Sequence, residues 1–207
     1  MADRRMKSKI LWPCVLIGLI LFQAGCSRSR GLSDGPSLPV VTIRTTVGDI
    51  SVEIDSVRAP ETAANFLRYV DEGFYDGGSF FRTVHAENQP QDSIRIAVIQ
   101  GGANRARSDQ FFAAIDLERT DITELKHVDG TISMARGGPD TATDSFFFCI
   151  GDQPDLDYGG MRNPDGQGFA AFGRVLDGED VIRVIQMSPH EKQSLEPSIE
   201  IVSVKRQ

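Results

Sequence analysis

One arginine, Arg82, lies within the run SFFRTV at residues 79–84, whose other side chains suit a β-strand. A guanidinium keeps its positive charge in proteins, so it is a poor general acid or base. It offers several N–H donors instead. An arginine on a strand most often faces solvent, so chemistry at Arg82 requires neighbouring residues that direct the guanidinium towards a substrate.

The sequence lacks the usual patterns of hydrolases, metalloproteins and nucleotide-binding proteins. Its three histidines are His85, His127 and His190. None stands in the spacing of a catalytic triad or a zinc site, so we predict that all three are surface residues. The aspartates within residues 152–157 lack the glycine and the terminal glutamate of an EF-hand. The glycine-rich segment 159–168 lacks the lysine of a phosphate-binding loop, which predicts an ordinary loop.

Composition and charge restrict the class of protein further. The chain has 207 residues, 40% of them hydrophobic, which is typical of one globular domain with a sizeable core. Residues 26–207 contain 18 Lys and Arg against 28 Asp and Glu. This negative balance argues against nucleic acid or anionic lipid as a partner attracted by charge.

The first 26 residues have the plan of an export segment: four basic residues, then the apolar run ILWPCVLIGLILF, then QAGC. The apolar run is shorter than the ~20 residues that a membrane-spanning helix needs. Ala24 and Gly25 before Cys26 resemble a bacterial lipoprotein signal, although Gln23 departs from it. Three interpretations stay open, namely lipidation of Cys26, an uncleaved anchor and ordinary secretion. All three place the remainder outside the cytoplasm, in the periplasm or cell envelope, and the first two attach it to a membrane.

The rest of the chain divides into a flexible tether and one domain. Residues 26–39 are rich in Ser, Gly and Pro, whereas residues 40–207 carry the hydrophobic patterns of a folded domain. Strands are predicted at 40–46, 50–54, 79–84, 94–100, 131–135, 146–150, 169–175 and in the final IEIVSVK. Helices are predicted from Pro60, ending before Gly73, and from Glu179 to Gln186. Many short strands with two helices predict an all-β barrel or sandwich with helical covers.

Several segments in this domain resemble the cyclophilin family of peptidyl-prolyl isomerases. They include APETAANFLRYVDEGFYDGGSFFRTV, VIQGG, DGTISMARGGPDTATDSFFFCI and GFAAFGRVLDGEDVIRVI, in the order of the family. The resemblance implies an eight-stranded antiparallel barrel capped by two helices. It also implies a peptidyl-prolyl cis-trans isomerase that needs no metal or other cofactor. Its partners would be proline-containing, unfolded or partly folded polypeptides, here exported ones, and we expect a monomer.

The same resemblance assigns site residues by position. Arg82 stands where the family has its main catalytic arginine, Gln100 where a glutamine orients that arginine, and Phe147 at the floor of the proline pocket. Further substrate-binding positions are Phe80, Ala97, Val98, Met134, Ala135, Ser145, Leu156 and Phe169. An untitratable arginine suits this reaction, because twisting an X-Pro bond breaks amide resonance and a fixed donor can bond to the prolyl nitrogen in the twisted state.

Departures from the family leave two other interpretations open. Ala97 and Val98 replace larger residues and thin one pocket wall, whereas Phe169 adds apolar area. Segment 85–93 is longer than the usual family turn, so it either shapes substrate access or is a tolerated surface loop. The altered pocket would suit a catalytically weak module that binds proline peptides in the cell envelope. A purely structural role in an envelope complex has no supporting feature in the sequence.

Overall fold

The structure is a computed structural model that describes residues 37–207. The predicted export segment 1–25, Cys26 and the tether as far as residue 36 lie outside the described residues. No helix in residues 37–207 is long and apolar enough to cross a membrane. The strands of this part are β1 (Val40–Thr45), β2 (Gly48–Ile54), β3 (Gly78–Val84), β4 (Val98–Gly102), β5 (Thr131–Met134), β6 (Phe146–Cys149), β7 (Ala170–Asp177), β8 (His190–Glu191) and β9 (Ser194–Arg206).

These strands form one antiparallel sheet in the order β1-β2-β7-β5-β6-β4-β3-β9-β8. Because β1 also pairs with β9, eight of the strands close into a barrel. The ninth, β8, has two residues and forms a hairpin with the start of β9. The predicted mainly β fold, an eight-stranded antiparallel barrel, is confirmed.

Two helices of two to three turns cover the barrel, as predicted. Helix α1 (Pro60–Asp71) packs against β7 and β9, and helix α3 (Glu179–Gln186) packs against β2, β3 and β4. Pro60 occupies the first turn of α1, where its missing N–H has no partner to lose. Between them the single-turn helix α2 (Thr120–Thr123) was not predicted, since four residues give no periodic signal.

Aromatic side chains fill the inside of the barrel. Phe66 of α1 contacts Tyr75, Phe146 and Phe172, with ring centroids 5.2–5.6 Å apart. Strand β6 alternates: Phe146 and Phe148 belong to this core, whereas Phe147 belongs to a second apolar cluster. The period-two alternation of a strand therefore assigns neighbouring phenylalanines to two different environments.

The two most displaced starts belong to the strand predicted at 94–100, which begins four residues later, and to the final IEIVSVK, whose strand β9 begins five residues earlier at Ser194. β4 begins at Val98, because side chains bond the preceding backbone in place of a strand partner. The buried amide of Gln89 donates to the carbonyl oxygen of Ile96 at 2.7 Å and accepts from its N–H at 3.2 Å. The N–H of Ala97 donates to Oε1 of Gln153 at 3.1 Å.

Candidate active site

Arg82 and Gln100 lie opposite each other on neighbouring strands. Arg82 of β3 is in register with Gln100 of β4, and Nη1 of the arginine donates to Oε1 of the glutamine at 3.0 Å. The two glycines that follow Gln100 allow the close packing here. A Cβ at Gly101 would come within 2.9 Å of the Phe80 ring, and one at Gly102 within 2.9 Å of the Asp144 carboxylate.

A second glutamine, Gln193, holds the other side of the guanidinium. It lies in the turn between β8 and β9, and its Oε1 accepts from Nε of Arg82 at 3.0 Å and from Nη2 at 2.6 Å. The backbone carbonyl of Gln193 also accepts from the N–H of Thr83, the residue after the arginine. Sequence analysis missed Gln193, because 111 residues separate it from Arg82 and no local pattern links them.

A cavity of about 480 Å³ opens beside Arg82 and Gln100. Its apolar lining includes Phe147, Leu156 and Phe169, with the Phe147 and Phe169 rings edge to face at 5.3 Å. Phe147 and Leu156 are buried, in the apolar cluster separate from the barrel core. The cavity thus combines an apolar floor with a charged donor at its edge, a combination that suits a small apolar ring next to a polar backbone.

The structure brings seven of the predicted site residues together around this cavity. They are Arg82, Val98, Gln100, Ala135, Phe147, Leu156 and Phe169. The predicted roles of these residues stay predictions, but their convergence from separate segments of the chain is what a binding site requires.

Four other predicted site residues do not line the cavity. Phe80 and Met134 lie in the barrel core with at most 1% of their surface exposed. Ala97 packs on the same core, because Ile96, Val98 and Gln100 share the opposite side of their segment. Ser145 turns away, and its hydroxyl accepts from Nη2 of Arg105.

The wall that was predicted to be thin is filled by residues the sequence analysis did not select. Ile96 takes a place beside Val98, two residues along the chain, and the period of two would have indicated it. The segment after β3, residues 85–97, also contributes, since Gln91, Asp92 and Ser93 line the cavity. Of the two interpretations of this segment, the structure favours a part in the cavity wall.

Two arginine pairs fix the loop 157–168 at the cavity mouth. Nη1 of Arg162 donates to the carbonyl of Ile94 at 2.7 Å and lies 3.1 Å from the Asp92 carboxylate. Arg136 pairs with Asp165 through two bonds of 2.8 and 2.9 Å. The loop 157–168 and the segment after β3 are thereby joined across the cavity.

Burial sets the electrostatics of the catalytic candidate. It lowers the pKa of Arg82 from its usual value, the nearby Arg162 lowers that pKa further, and Asp92 opposes both. An arginine nevertheless stays protonated in proteins, so the cavity holds a permanent positive charge. Poor solvation of this charge strengthens its interaction with any electron pair that enters the cavity.

Behind Phe147 lies a buried chain of polar groups that resembles a catalytic triad only in connectivity. His127 is buried, contrary to the surface position predicted for it. Its ring is nearly parallel to that of Phe147, with the ring centroids 6.0 Å apart. Its Nδ1 is 2.8 Å from Asp157 and its Nε2 is 2.9 Å from the hydroxyl of Ser133. Because Ser133 is fully buried, substrate cannot reach this hydroxyl, and the chain of bonds supports the floor of the cavity.

Comparison with known proteins identifies the family. The profile described as "Cyclophilin type peptidyl-prolyl cis-trans isomerase/CLD" matches residues 40–206. The chain belongs to the cyclophilin-type peptidyl-prolyl cis-trans isomerases. It is 33% identical to peptidyl-prolyl cis-trans isomerase cyp18 of Streptomyces antibioticus over 72% of this chain and 84% of that protein. Identity to peptidyl-prolyl cis-trans isomerase B of Escherichia coli is also 33%, over 71% and 84%.

Solved structures of cyclophilins agree in fold. A cyclophilin-type peptidyl-prolyl cis-trans isomerase of Cryptosporidium parvum superposes with a TM-score of 0.65 at 22% identity, covering 82% of this chain and 98% of that one. A second structure of that cyclophilin was determined in the presence of the dipeptide Ala-Pro, with a TM-score of 0.64 over 81% of this chain and 98% of that one. The family match over residues 40–206 and the two bacterial relatives make the chain an enzyme of the peptidyl-prolyl isomerase class, and the binding module is the less favoured interpretation.

Proposed function

We propose that Arg82 lowers the barrier to X-Pro rotation by donating to the prolyl nitrogen in the twisted amide. Rotation must cross ~18–20 kcal/mol because resonance is lost on twisting. The lost resonance returns a lone pair to the prolyl nitrogen, which then accepts a hydrogen bond that neither planar isomer accepts as well. A donor that binds the twisted state selectively accelerates rotation in both directions.

The observation that carries this proposal is the placement of the guanidinium. Within residues 37–207, its hydrogen bonds to Gln100 and Gln193 use three of the five N–H groups of Arg82. Two N–H groups are left for a substrate, and the apolar floor at Phe147 is part of the same cavity. The proline ring would rest on that floor, while Gln100 and Gln193 prevent the arginine from turning away.

Exchange NMR on a short Ala-Pro peptide tests this mechanism. We expect the wild type to accelerate cis/trans exchange and Arg82→Ala to lose about 100-fold or more in kcat/KM, the usual effect of removing a donor to a transition state. Phe147→Ala should raise KM, since the floor holds the ring in both isomers. Arg44→Ala removes an exposed arginine of β1 and serves as the matched control.

Three outcomes are distinct in this experiment. Loss of exchange in folded Arg82→Ala, with peptide binding retained, supports the electrostatic mechanism. Full activity in Arg82→Ala would contradict that mechanism and leave the isomerase class intact. A folded wild type that binds the peptide without accelerating exchange would instead establish the proline-binding module.

We further propose that the enzyme acts as a monomer on exported polypeptides, held outside the cytoplasm by a lipid on Cys26. The basic-apolar-small pattern of residues 1–25 supports export, and Cys26 directly follows it. Uncatalysed X-Pro isomerisation takes tens of seconds or longer, so unfolded exported chains are suitable substrates. Mass spectrometry of the membrane fraction should show a lipid-modified Cys26, and Cys26→Ala should release the protein. An unmodified, soluble wild type would contradict the lipid anchor.

A further inference from the structure

Two histidines that are far apart in the sequence meet on the surface next to the active site. His85 follows directly after β3, His190 begins β8, and their Nε2 atoms are 3.2 Å apart. The rings are nearly perpendicular, at 81°, and their centroids are 5.0 Å apart. If the two Nε2 atoms pointed straight at each other, the centroid separation would equal 3.2 Å plus the distance from each centroid to its own Nε2 atom. The observed centroid distance is shorter than that, so the two Nε2 atoms converge at an angle.

The other nitrogen of each ring is already occupied. Nδ1 of His85 lies 2.7 Å from the carboxylate of Glu87, and Nδ1 of His190 lies 3.0 Å from the carbonyl oxygen of Ser188. Both partners only accept hydrogen bonds, so each Nδ1 carries the hydrogen of its ring. In the neutral rings both Nε2 atoms are therefore bare lone pairs. Two lone pairs that converge at 3.2 Å need a positive charge between them.

We propose that His85 and His190 bind one divalent transition-metal ion of the Zn²⁺, Ni²⁺ or Cu²⁺ class through their Nε2 atoms. Imidazole suits these metals, and a Zn–N bond of about 2.0–2.1 Å with the observed separation gives an N–Zn–N angle of about 100°, near tetrahedral. Histidine ligands of metals usually donate the other N–H to a carboxylate or a backbone carbonyl. Both kinds of partner are present here, at Glu87 and Ser188.

The site provides two protein ligands and leaves the remaining positions to water. Residues 37–207 contain no cluster of three or more His, Cys, Asp and Glu side chains placed to hold a metal. The bound ion would therefore exchange with solvent, unlike the ion of a structural zinc centre, which has four protein ligands. The sequence could not indicate it, because 105 residues separate the two histidines.

A bound ion would act close to the catalytic arginine. It would join the start of the segment after β3 to the β8–β9 hairpin, whose turn carries Gln193. The amide of Gln193 already donates to the carbonyl of Asn88 in that segment at 3.3 Å, while its oxygen holds Arg82. The metal would thus restrict the two pieces of chain that position the guanidinium.

Isothermal titration of the purified, chelator-treated protein with ZnCl₂ at pH 7.5 tests the proposal. We expect one zinc equivalent in the wild type that His190→Ala loses. Glu87→Ala should weaken its binding about 10- to 100-fold, as removal of a hydrogen-bonding partner of a ligand does. Glu196→Gln, an exposed change on β9, is the matched control and should bind like the wild type. Comparison with His190→Ala also subtracts any zinc taken up by cysteines.

A second measurement keeps the result independent of misfolding and of isomerase activity. Long-range ¹H–¹⁵N NMR of the histidine rings should show zinc shifting Nε2 of His85 and His190 and leaving His127 unchanged. Equal zinc binding by the wild type and His190→Ala would overturn the proposal. So would a wild type that binds no zinc, in which case a shared proton alone joins the rings.

Discussion

Three hydrogen bonds determine the direction in which Arg82 points, and they come from two different elements. Gln100 was predicted from the family resemblance, which includes the segment VIQGG, and the structure places it in register with the arginine. Gln193 could not be predicted, since only the closure of β9 onto β3 brings it near. Ile96 could have been found, because it shares its side of the segment with Val98 and Gln100.

Removing the side chain of Gln193 should lower the catalytic rate, because Arg82 is then held in position less firmly. We expect Gln193→Ala to lower kcat/KM about 10-fold, or ~1.4 kcal/mol, mainly in kcat, because the guanidinium loses one of its two positioning partners. Peptide exchange NMR measures both parameters. Gln207→Ala removes an exposed glutamine at the chain end and should have no effect. A pure KM effect in Gln193→Ala would show that the residue contacts substrate instead.

Among the elements, the cavity lies between the segment after β3 and the loop 157–168, next to strands β4 and β6. Hydrophobic patterns and turn residues predicted eight of the nine strands and both longer helices, whereas the two-residue β8 is too short to give a periodic signal. They misplaced the start of β4, since the buried amides of Gln89 and Gln153 bond the backbone there in a way no periodicity encodes. They also gave no indication that Arg162 would join the loop 157–168 to the segment after β3.

Cutting that link should loosen one wall without touching the chemistry. We expect Arg162→Ala to raise KM for a proline peptide about 3- to 10-fold with kcat changed less than twofold, because the arginine holds Asp92 and the Ile94 carbonyl in place. Steady-state kinetics on the same peptide measures this split. Arg95→Ala, an exposed arginine of the same segment, should match the wild type. An equal fall in kcat would mean that Arg162 stabilises the twisted amide directly.

The hydrogen bonds of Asp157 beneath the cavity floor make the free energy of unfolding depend on pH. Burial raises the pKa of Asp157, but the hydrogen bonds from His127 and the charge of Lys126 outweigh burial and leave this pKa below its usual value. A lowered pKa contributes stability above the unfolded value of about 3.9, and that stability is lost as the pH falls through the folded value. Urea unfolding between pH 6 and pH 2.5 should thus show a smaller acid-induced decline in Asp157→Asn. Asp177→Asn, an exposed change, should keep the wild-type slope.

At the scale of the whole molecule, a single aromatic core joins the helical cover to the barrel. Composition and strand count predicted a barrel or sandwich, and the family resemblance narrowed this to the eight-stranded barrel. Sequence alone could not choose, because closure depends on the pairing of β1 with β9 across the full length of the domain. Phe66, completely buried under α1, connects this closed sheet to the helix.

Truncating that ring should show how much the helical cover depends on it. We expect Phe66→Ala to reduce the free energy of unfolding by about 3–5 kcal/mol, since a fully buried ring leaves a cavity that its neighbours cannot fill. Urea denaturation monitored by circular dichroism measures the change. Val57→Ala, at an exposed site, should cost less than about 0.5 kcal/mol. A similarly small loss in Phe66→Ala would mean that α1 repacks.

The closure of the barrel has a consequence for the binding of proline-containing polypeptides. An open sheet edge would offer unpaired N–H and C=O groups, to which an extended client could add itself as a strand. In residues 37–207, the sheet ends only in the two-residue β8, because β1 and β9 bond to each other. A polypeptide therefore finds almost no backbone template on the sheet, and its binding is confined to the cavity, where we propose contacts to the proline ring and the prolyl nitrogen. The barrel thus offers almost no edge on which a bound polypeptide could nucleate aggregation.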